Sequence, residues 1–307
     1  MSGGINCEES YFRTSHGKVY FLKYEGRDSS GVPLIMIHGG PGFTHHYLEP
    51  LFGLANERPV IFYDQLGCGK SDRPQDLSFC SVDYFVSELR ALVEHLGYTK
   101  VSLLGHSWGS TVASEYAIQY SDVSHLILAS PYMSSPLWNR DSKSYIAKLP
   151  KDMQANLKTR DTSSEAYLRA HTEYYDRHVY GTAREDRSIA LSTEEASNEI
   201  YHTLWGKDEI CIDGILKDYD CRDRISEISA KTLFTCGEYD TGGPKSCKEM
   251  SRQILDSRLK VFPDCAHFPH LECKLDYVTC IRNFLNDQKI DSEEKSLKNK
   301  LVNFLFK

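Results

Sequence analysis

Apolar and polar residues change period several times along the chain, and each change marks an element. Residues 11–24 (YFRTSHGKVYFLKY) alternate on either side of His16-Gly17 and predict two short strands joined by a turn. Residues 32–37 (VPLIMI) and 59–64 (PVIFYD) are instead continuous apolar runs, as expected of strands buried on both faces of a parallel sheet. Over 82–96 the spacing turns helical. Tyr84, Leu89, Leu92, Val93 and Leu96 share a face, Ser81 can cap the N-terminus and Gly97 stops the helix. A third buried strand follows at 101–104 (VSLL), then a helix at 110–120 and a fourth strand at 125–130 (HLILAS). Strands alternating with helices predict βαβ units and a mainly parallel sheet.

The rhythm breaks between 131 and 225. Strand runs disappear, and polar, tyrosine-rich, helix-like stretches such as HTEYYDRHVYG take over. Alternation resumes with 231–237 (KTLFTCG), a helix near 245–254, a strand at 259–262 (LKVF) and a helix over about 276–286. The expected organisation is one α/β core in two parts, 1–131 and 226–286, interrupted by a helical insertion at 132–225, too long for a plain loop. Residues 287–307 form a charged tail in which Leu297, Leu301 and Leu305 can share a helix face, and a terminal helix docking on its own core is expected there.

Composition narrows the classes. The 307 residues are 40% hydrophobic and 26% charged, close to the globular average, so a disordered chain is excluded. No run approaches the roughly 20 apolar residues that span a bilayer. The net charge of −7 has the wrong sign for a nucleic-acid surface. The ten cysteines include no C-x-x-C pair, and no apolar leader follows the first residues, so free thiols and a cytoplasmic location are expected. No metal-ligand spacing such as H-E-x-x-H appears, and neither a metal nor another cofactor is expected. The sequence does not fix the oligomeric state.

The chemistry is concentrated in a few segments. Gly105-His106-Ser107-Trp108-Gly109 fits G-x-S-x-G, directly after the strand VSLL and directly before a helix, where a strained turn presents a serine nucleophile. His38-Gly39-Gly40-Pro41-Gly42 follows the strand VPLIMI. Acyl transfer needs backbone N–H donors aimed at a developing oxyanion, and the amides of Gly40 and Trp108 are the expected pair. Asp240 closes GEYD after one late strand, and His267 follows the next, in PDCAHFPH. In this reading His267 takes the proton from Ser107, and Asp240 holds the imidazole tautomer. Glu238 and Asp264 are rival acids but sit less well relative to the strand end, and His270 and His106 read as packing or surface histidines. Gly67-Cys68-Gly69-Lys70-Ser71 imitates the end of a phosphate-binding loop, yet Asp64 stands where that motif needs glycine, so this loop is read as shaping the site.

HGGPG, DQLGCGKSD, GHSWGS, GEYD and CAHFPHLE together resemble the proline iminopeptidases, serine aminopeptidases of the α/β-hydrolase fold, over about residues 10 to 286. The resemblance implies that fold, a helical cap over the active site, and removal of an N-terminal residue, often proline, from short peptides or aminoacyl amides through an acyl-enzyme. It also implies acidic residues near the cap that hold the substrate's free α-amino group. LWGKDEI is similar to the segment that carries one of them in tricorn-interacting aminopeptidases, which points to Glu209. A second glutamate follows the triad aspartate in those relatives; Thr241 stands there in this chain. The same triad would also serve an amino-acid amidase or esterase, and the fold by itself is compatible with a ligand sensor.

Overall fold

Eight strands form one sheet in the order β1-β2-β4-β3-β5-β6-β7-β8. The computed structural model describes residues 4–27, 29–210 and 212–290. β1 (Asn6–Arg13) and β2 (Lys18–Glu25) form the expected hairpin and run antiparallel, and β2 is antiparallel to β4 as well. β3 (Leu34–Ile37), β4 (Val60–Tyr63), β5 (Val101–His106), β6 (Val123–Ala129), β7 (Lys231–Gly237) and β8 (Ser257–Phe262) are mutually parallel.

The continuous apolar runs have a simple cause. In β3 and β4, Ile35, Ile37, Ile61 and Tyr63 point into a core on one face. Leu34, Met36, Val60 and Phe62 point into a second core on the other face. α1 (Val82–His95) and α2 (Trp108–Gln119) cover the first face. α10 (Lys274–Leu285) covers the second through Tyr277, Ile281 and Phe284. With both faces covered, neither side of a strand can be polar. Ser81 caps α1 by accepting from the Tyr84 amide, as its position suggests.

Five α-helices run between β6 and β7 among the described residues: α3 (Ser135–Ile146), α4 (Lys151–Thr159), α5 (Glu165–Tyr175), α6 (Arg187–Glu194) and α7 (Asn198–Leu204). α5 continues into one π-helical turn, Asp176–Tyr180. α8 (Pro244–Ser251) separates β7 from β8, and the short α9 (Pro269–Glu272) follows β8. From residue 291 onward, the helix expected in the C-terminal tail lies outside the described residues.

The sheet extends some predicted elements. β1 begins at Asn6, five residues before the alternating pattern does. Residues 6–9 are exposed, so they are held by backbone pairing with β2 rather than by burial. α2 begins at Trp108, not at residue 110, because the turn after Ser107 is already helical. The C-terminal ends of β3, β5, β7 and β8 lie on one edge of the sheet, where open α/β sheets hold their ligands.

Candidate active site

Ser107 sits in the turn from β5 to α2 with φ 54° and ψ −120°, a backbone region that residues with a Cβ seldom adopt. Its neighbours hold it there. The Ser107 amide donates to Ala129 O at 2.9 Å, and its carbonyl accepts from Ser110 N at 2.9 Å. The flanking glycines are required by space: a Cβ on Gly105 would press on the Gly109 carbonyl, and one on Gly109 on the Ile37 carbonyl. The side chain is thereby lifted into a cavity of 220 Å³ that His267 also lines.

Gly40 lies in the loop after β3 with φ 113°, open only to glycine at no cost. The Gly39 amide is already engaged, donating to Tyr47 Oη at 2.7 Å. Among the described residues, the amides of Gly40 and Trp108 have no protein acceptor. The first amide of a helix has no intrahelical partner, and the helix dipole adds positive character at Trp108. Gly40 lines the cavity, and the Trp108 amide directly follows Ser107, which lines it too, so two unspent donors flank the serine, as a stabilised oxyanion requires.

His267 Nδ1 and Asp240 Oδ1 are 2.7 Å apart, and both side chains are buried. Asp240 Oδ1 also accepts from the Gly242 amide at 2.9 Å. Burial pulls the His267 pKa down, but the charge and hydrogen bond of Asp240 raise it more, with smaller help from Glu209 and Glu272, so the ring titrates above the ordinary histidine value. The rival acids are elsewhere: Glu238 accepts from the Asp264 amide at 3.3 Å, away from the ring. The rival histidines are not at the surface. His106 bonds Tyr47 Oη at 3.0 Å and the His267 carbonyl at 2.9 Å, and His270 bonds the Tyr47 carbonyl at 3.1 Å. Burial lowers both pKa values, His270 to about 3, so both are neutral supports under the His267 loop.

Glu209 lies on the same cavity wall as Ser107 and His267. Its Oε2 accepts from Tyr201 Oη at 3.2 Å, and its backbone is pinned by Tyr175 Oη and by the Trp138 indole. Burial pushes its carboxyl up to about 7 against the pull of His267 and Tyr201. Among the described residues it has no ion-pair partner, and it sits among aromatic rings. Thr241 is fully buried and bonds Tyr174 Oη at 2.6 Å, so it contributes no charge to the cavity.

Gln65, Asp64 and Glu272 lie within the segments that carry the family resemblance, but the sequence assigned them no individual role. The Gln65 carboxamide accepts from Trp108 Nε1 at 2.8 Å and donates to His38 O at 2.9 Å, joining the two segments that supply the unspent amides. Asp64 Oδ1 accepts from the amide and ring of His45 at 3.0 and 2.7 Å. Neither member of that second His–Asp pair lines the cavity that holds Ser107, and the pair braces the glycine loop. Both acceptors belong to the segment that imitates a phosphate loop, which here shapes the site from behind. Three amides converge on Glu272: Ala266 at 2.8 Å, Phe268 at 3.3 Å and Thr182 at 3.3 Å.

The α/β-hydrolase fold family matches residues 32–273. A proline iminopeptidase of Heyndrickxia coagulans is 37% identical over 285 residues, covering 91% of this chain and 98% of that protein. The crystal structure of a proline iminopeptidase from Mycobacterium smegmatis superposes with a TM-score of 0.86 at 30% identity, covering 91% of this chain and 98% of that one. The crystal structure of VinJ gives the same TM-score at 28% identity, covering 92% of this chain and 99% of its own.

Proposed function

The chain belongs to the α/β-hydrolase fold family and, within it, to the proline iminopeptidases, and we propose that it is a serine aminopeptidase that releases an N-terminal residue, preferentially proline, from short peptides. One observation carries the reading beyond kinship: Glu209, a carboxylate with no ion-pair partner among the described residues, shares a 220 Å³ cavity with Ser107 and His267. A site for a bare ester has no use for a buried acid, which costs desolvation. A site for a free amino terminus does.

The steps follow from the geometry. The substrate ammonium pairs with Glu209, which sets the first carbonyl carbon against Ser107. His267 Nε2 takes the Ser107 proton as Oγ bonds that carbon. The oxyanion forms toward the Gly40 and Trp108 amides, which need not reorganise to receive it. The C–N bond then breaks, the departing amine takes the proton from His267, and a prolyl ester remains on Ser107. Water, deprotonated by the same ring, hydrolyses that ester and frees proline. The helical insertion works as a cap: Tyr175, Tyr180 and Tyr201 wall the cavity, so a chain end is admitted and the middle of a chain is not. The free thiols at positions such as Cys68, Cys236 and Cys247 fit a cytoplasmic setting. Among the described residues, no helix is long and apolar enough to cross a membrane.

The test compares prolyl-arylamide with its N-acetyl form on wild type and Glu209→Gln. A charge-assisted hydrogen bond is worth roughly 1.5 to 3 kcal/mol, so Glu209→Gln is expected to lower kcat/KM about ten- to a hundredfold for the free amine. Turnover of p-nitrophenyl acetate, which has no ammonium, should change little. Equal turnover of the two arylamides by wild type overturns the aminopeptidase reading and favours a general amidase or esterase.

The pH dependence gives a second check. The competent free enzyme has neutral His267 and ionised Glu209. His267 titrates above the ordinary histidine value and Glu209 at about 7, so both protons leave as pH rises through neutrality. Because the two groups interact, the observed constants belong to the pair. The acid limb of log kcat/KM is therefore expected to steepen toward a two-proton slope for prolyl-arylamide and to stay at one proton for the ester. In Glu209→Gln both substrates should show one proton. A two-proton limb that persists for prolyl-arylamide in Glu209→Gln would assign the second proton to another group.

A further inference from the structure

A short stretch of the insertion, residues 174–182, touches both loops that carry the catalytic pair, through its backbone and through two side chains. The His178 carbonyl accepts from the Thr241 amide at 2.9 Å, and the His178 ring bonds the Tyr239 carbonyl through Nδ1 at 2.7 Å. Tyr239 and Thr241 are the residues on either side of Asp240. One residue later, the Val179 carbonyl accepts from the His267 amide at 3.1 Å. Thr182 donates to Glu272, which also collects the Ala266 and Phe268 amides on either side of His267. Tyr174 Oη closes the set on Thr241 Oγ1.

The local conformation makes this possible. An α-helix directs its carbonyls along its own axis into the next turn. The stretch instead contains the π-helical turn Asp176–Tyr180, in which the His178 and Val179 carbonyls are spent on neighbouring loops. Single π turns inside helices are uncommon and are found mostly at functional sites. On its other side, the same stretch presents Tyr175, Val179 and Tyr180 to the substrate cavity. It is thus the piece of chain that touches both the substrate space and the two catalytic loops.

We propose that this strap sets the relative position of Asp240 and His267, with His178 as the positioning residue that brackets Asp240. The inference rests on the assignment of Ser107, Asp240 and His267 to the reaction. A carbonyl can only accept, so His178 Nδ1 carries its proton and donates to Tyr239 O. The ring is buried and packs, tilted, against Tyr145 and Tyr174, with centroids 4.2 and 5.1 Å away. Burial lowers its pKa, Lys148 and Arg177 lower it further, and the Tyr239 bond and Asp240 oppose them, so the ring stays neutral while His267 titrates. It acts as a fixed donor. Sequence alone pointed to no role for it, since it is one of twelve histidines in a polar stretch.

Three substitutions separate the donor from its packing. His178→Phe keeps a packed ring and removes the donor. His178→Asn trims the ring but places its amide nitrogen where Nδ1 was. His178→Gln carries its amide to the Nε2 position and also loses the bond, so it reads the same effect should the Phe protein fail to fold. Rates are taken per site titrated with a fluorophosphonate, which removes differences in folded fraction. A small misplacement of catalytic groups costs up to about a hundredfold, so kcat of His178→Phe should fall about ten- to a hundredfold for both prolyl-arylamide and p-nitrophenyl acetate, with little change in KM. Loss on the ester distinguishes this from removal of the amine anchor.

The ester's acid limb should also move to lower pH in His178→Phe. Asp240 is the main group holding the His267 pKa up, while Glu209 and Glu272 stay in place and His106 and His270 stay neutral. His178→Asn should recover most of the loss. The proposal is overturned if His178→Phe, or Gln in its stead, turns over at the wild-type rate per titrated site. It is equally overturned if the acid limb does not move, or if Asn is as slow as Phe. Ser107→Ala run alongside keeps the two readings apart: turnover by that protein would defeat the triad assignment itself, whereas an inactive Ser107→Ala beside wild-type His178 variants would defeat only the strap.

Discussion

Ser107→Ala is expected to abolish hydrolysis of prolyl-arylamide, lowering kcat by about five to six orders of magnitude, with His267→Ala doing comparable damage because nucleophile and base act as a unit. The fold should be untouched. Ser107 Oγ makes no hydrogen bond to the protein among the described residues, so the substitution breaks no contact that folding uses. Alanine retains the Cβ, so the cost of φ 54° neither rises nor falls, and the Ala129 and Ser110 backbone bonds persist. A thermal melt should therefore overlay that of wild type. No other side chain at the cavity replaces the attacking oxygen: Tyr47 Oη is committed to the Gly39 amide, and Thr193 and Ser197 stand on the cap side. Residual turnover above about one per cent in a folded Ser107→Ala protein would defeat the mechanism, since what remains without the nucleophile is only oxyanion stabilisation and binding.

The difference between what sequence declared and what it withheld is physical. Strands β3, β4, β5 and β7 announced themselves because both of their faces are buried, which forces unbroken apolar runs. The serine turn announced itself because two backbones approach so closely there that only glycine fits at 105 and 109. Asp240 and His267 followed from their places after β7 and β8. By contrast, residues 6–9 of β1 are exposed and follow β2 through ladder hydrogen bonds, which ask for no apolar side chains. The strap at 174–182 works largely through carbonyls and amides, which every residue possesses, and its His178 ring looks in the sequence like any other histidine. Gln65 joins segments that are 27 and 43 residues away in the chain, a relation that no local pattern encodes. Glu209 is an intermediate case: a resemblance pointed to it, but only its neighbours in space explain why its carboxyl lies near 7. His106 and His270 looked like surplus histidines. They are buried beneath His267, where neutral imidazoles both fill space and satisfy buried carbonyls.

Asp240→Asn carries the second largest expected effect, a fall in kcat of about 10³- to 10⁴-fold. Asp240 Oδ1 accepts from two donors, Gly242 N at 2.9 Å and His267 Nδ1 at 2.7 Å, while Oδ2 is buried without a partner. An asparagine has two ways to fit and both are damaging. If its oxygen takes the Oδ1 place, the His267 tautomer survives, but the negative charge is gone and a buried NH₂ is stranded at the Oδ2 place, at a cost of about 1–3 kcal/mol. If its nitrogen takes the Oδ1 place, it faces the Gly242 N–H donor to donor and drives the proton of the ring onto Nε2, where it can no longer accept from Ser107. The Gly242 amide disfavours the second arrangement, so the charge is the larger loss. That choice is measurable. Burial alone lowers the pKa of His267, and the Asp240 carboxylate is the main group opposing it. Removing the carboxylate lets the pKa fall, so the acid limb of kcat/KM should move to lower pH as the plateau drops. A wrong tautomer by itself would lower the plateau without requiring that shift. An Asp240→Asn protein within about tenfold of wild type at its plateau would show that His267 is oriented by something other than Asp240.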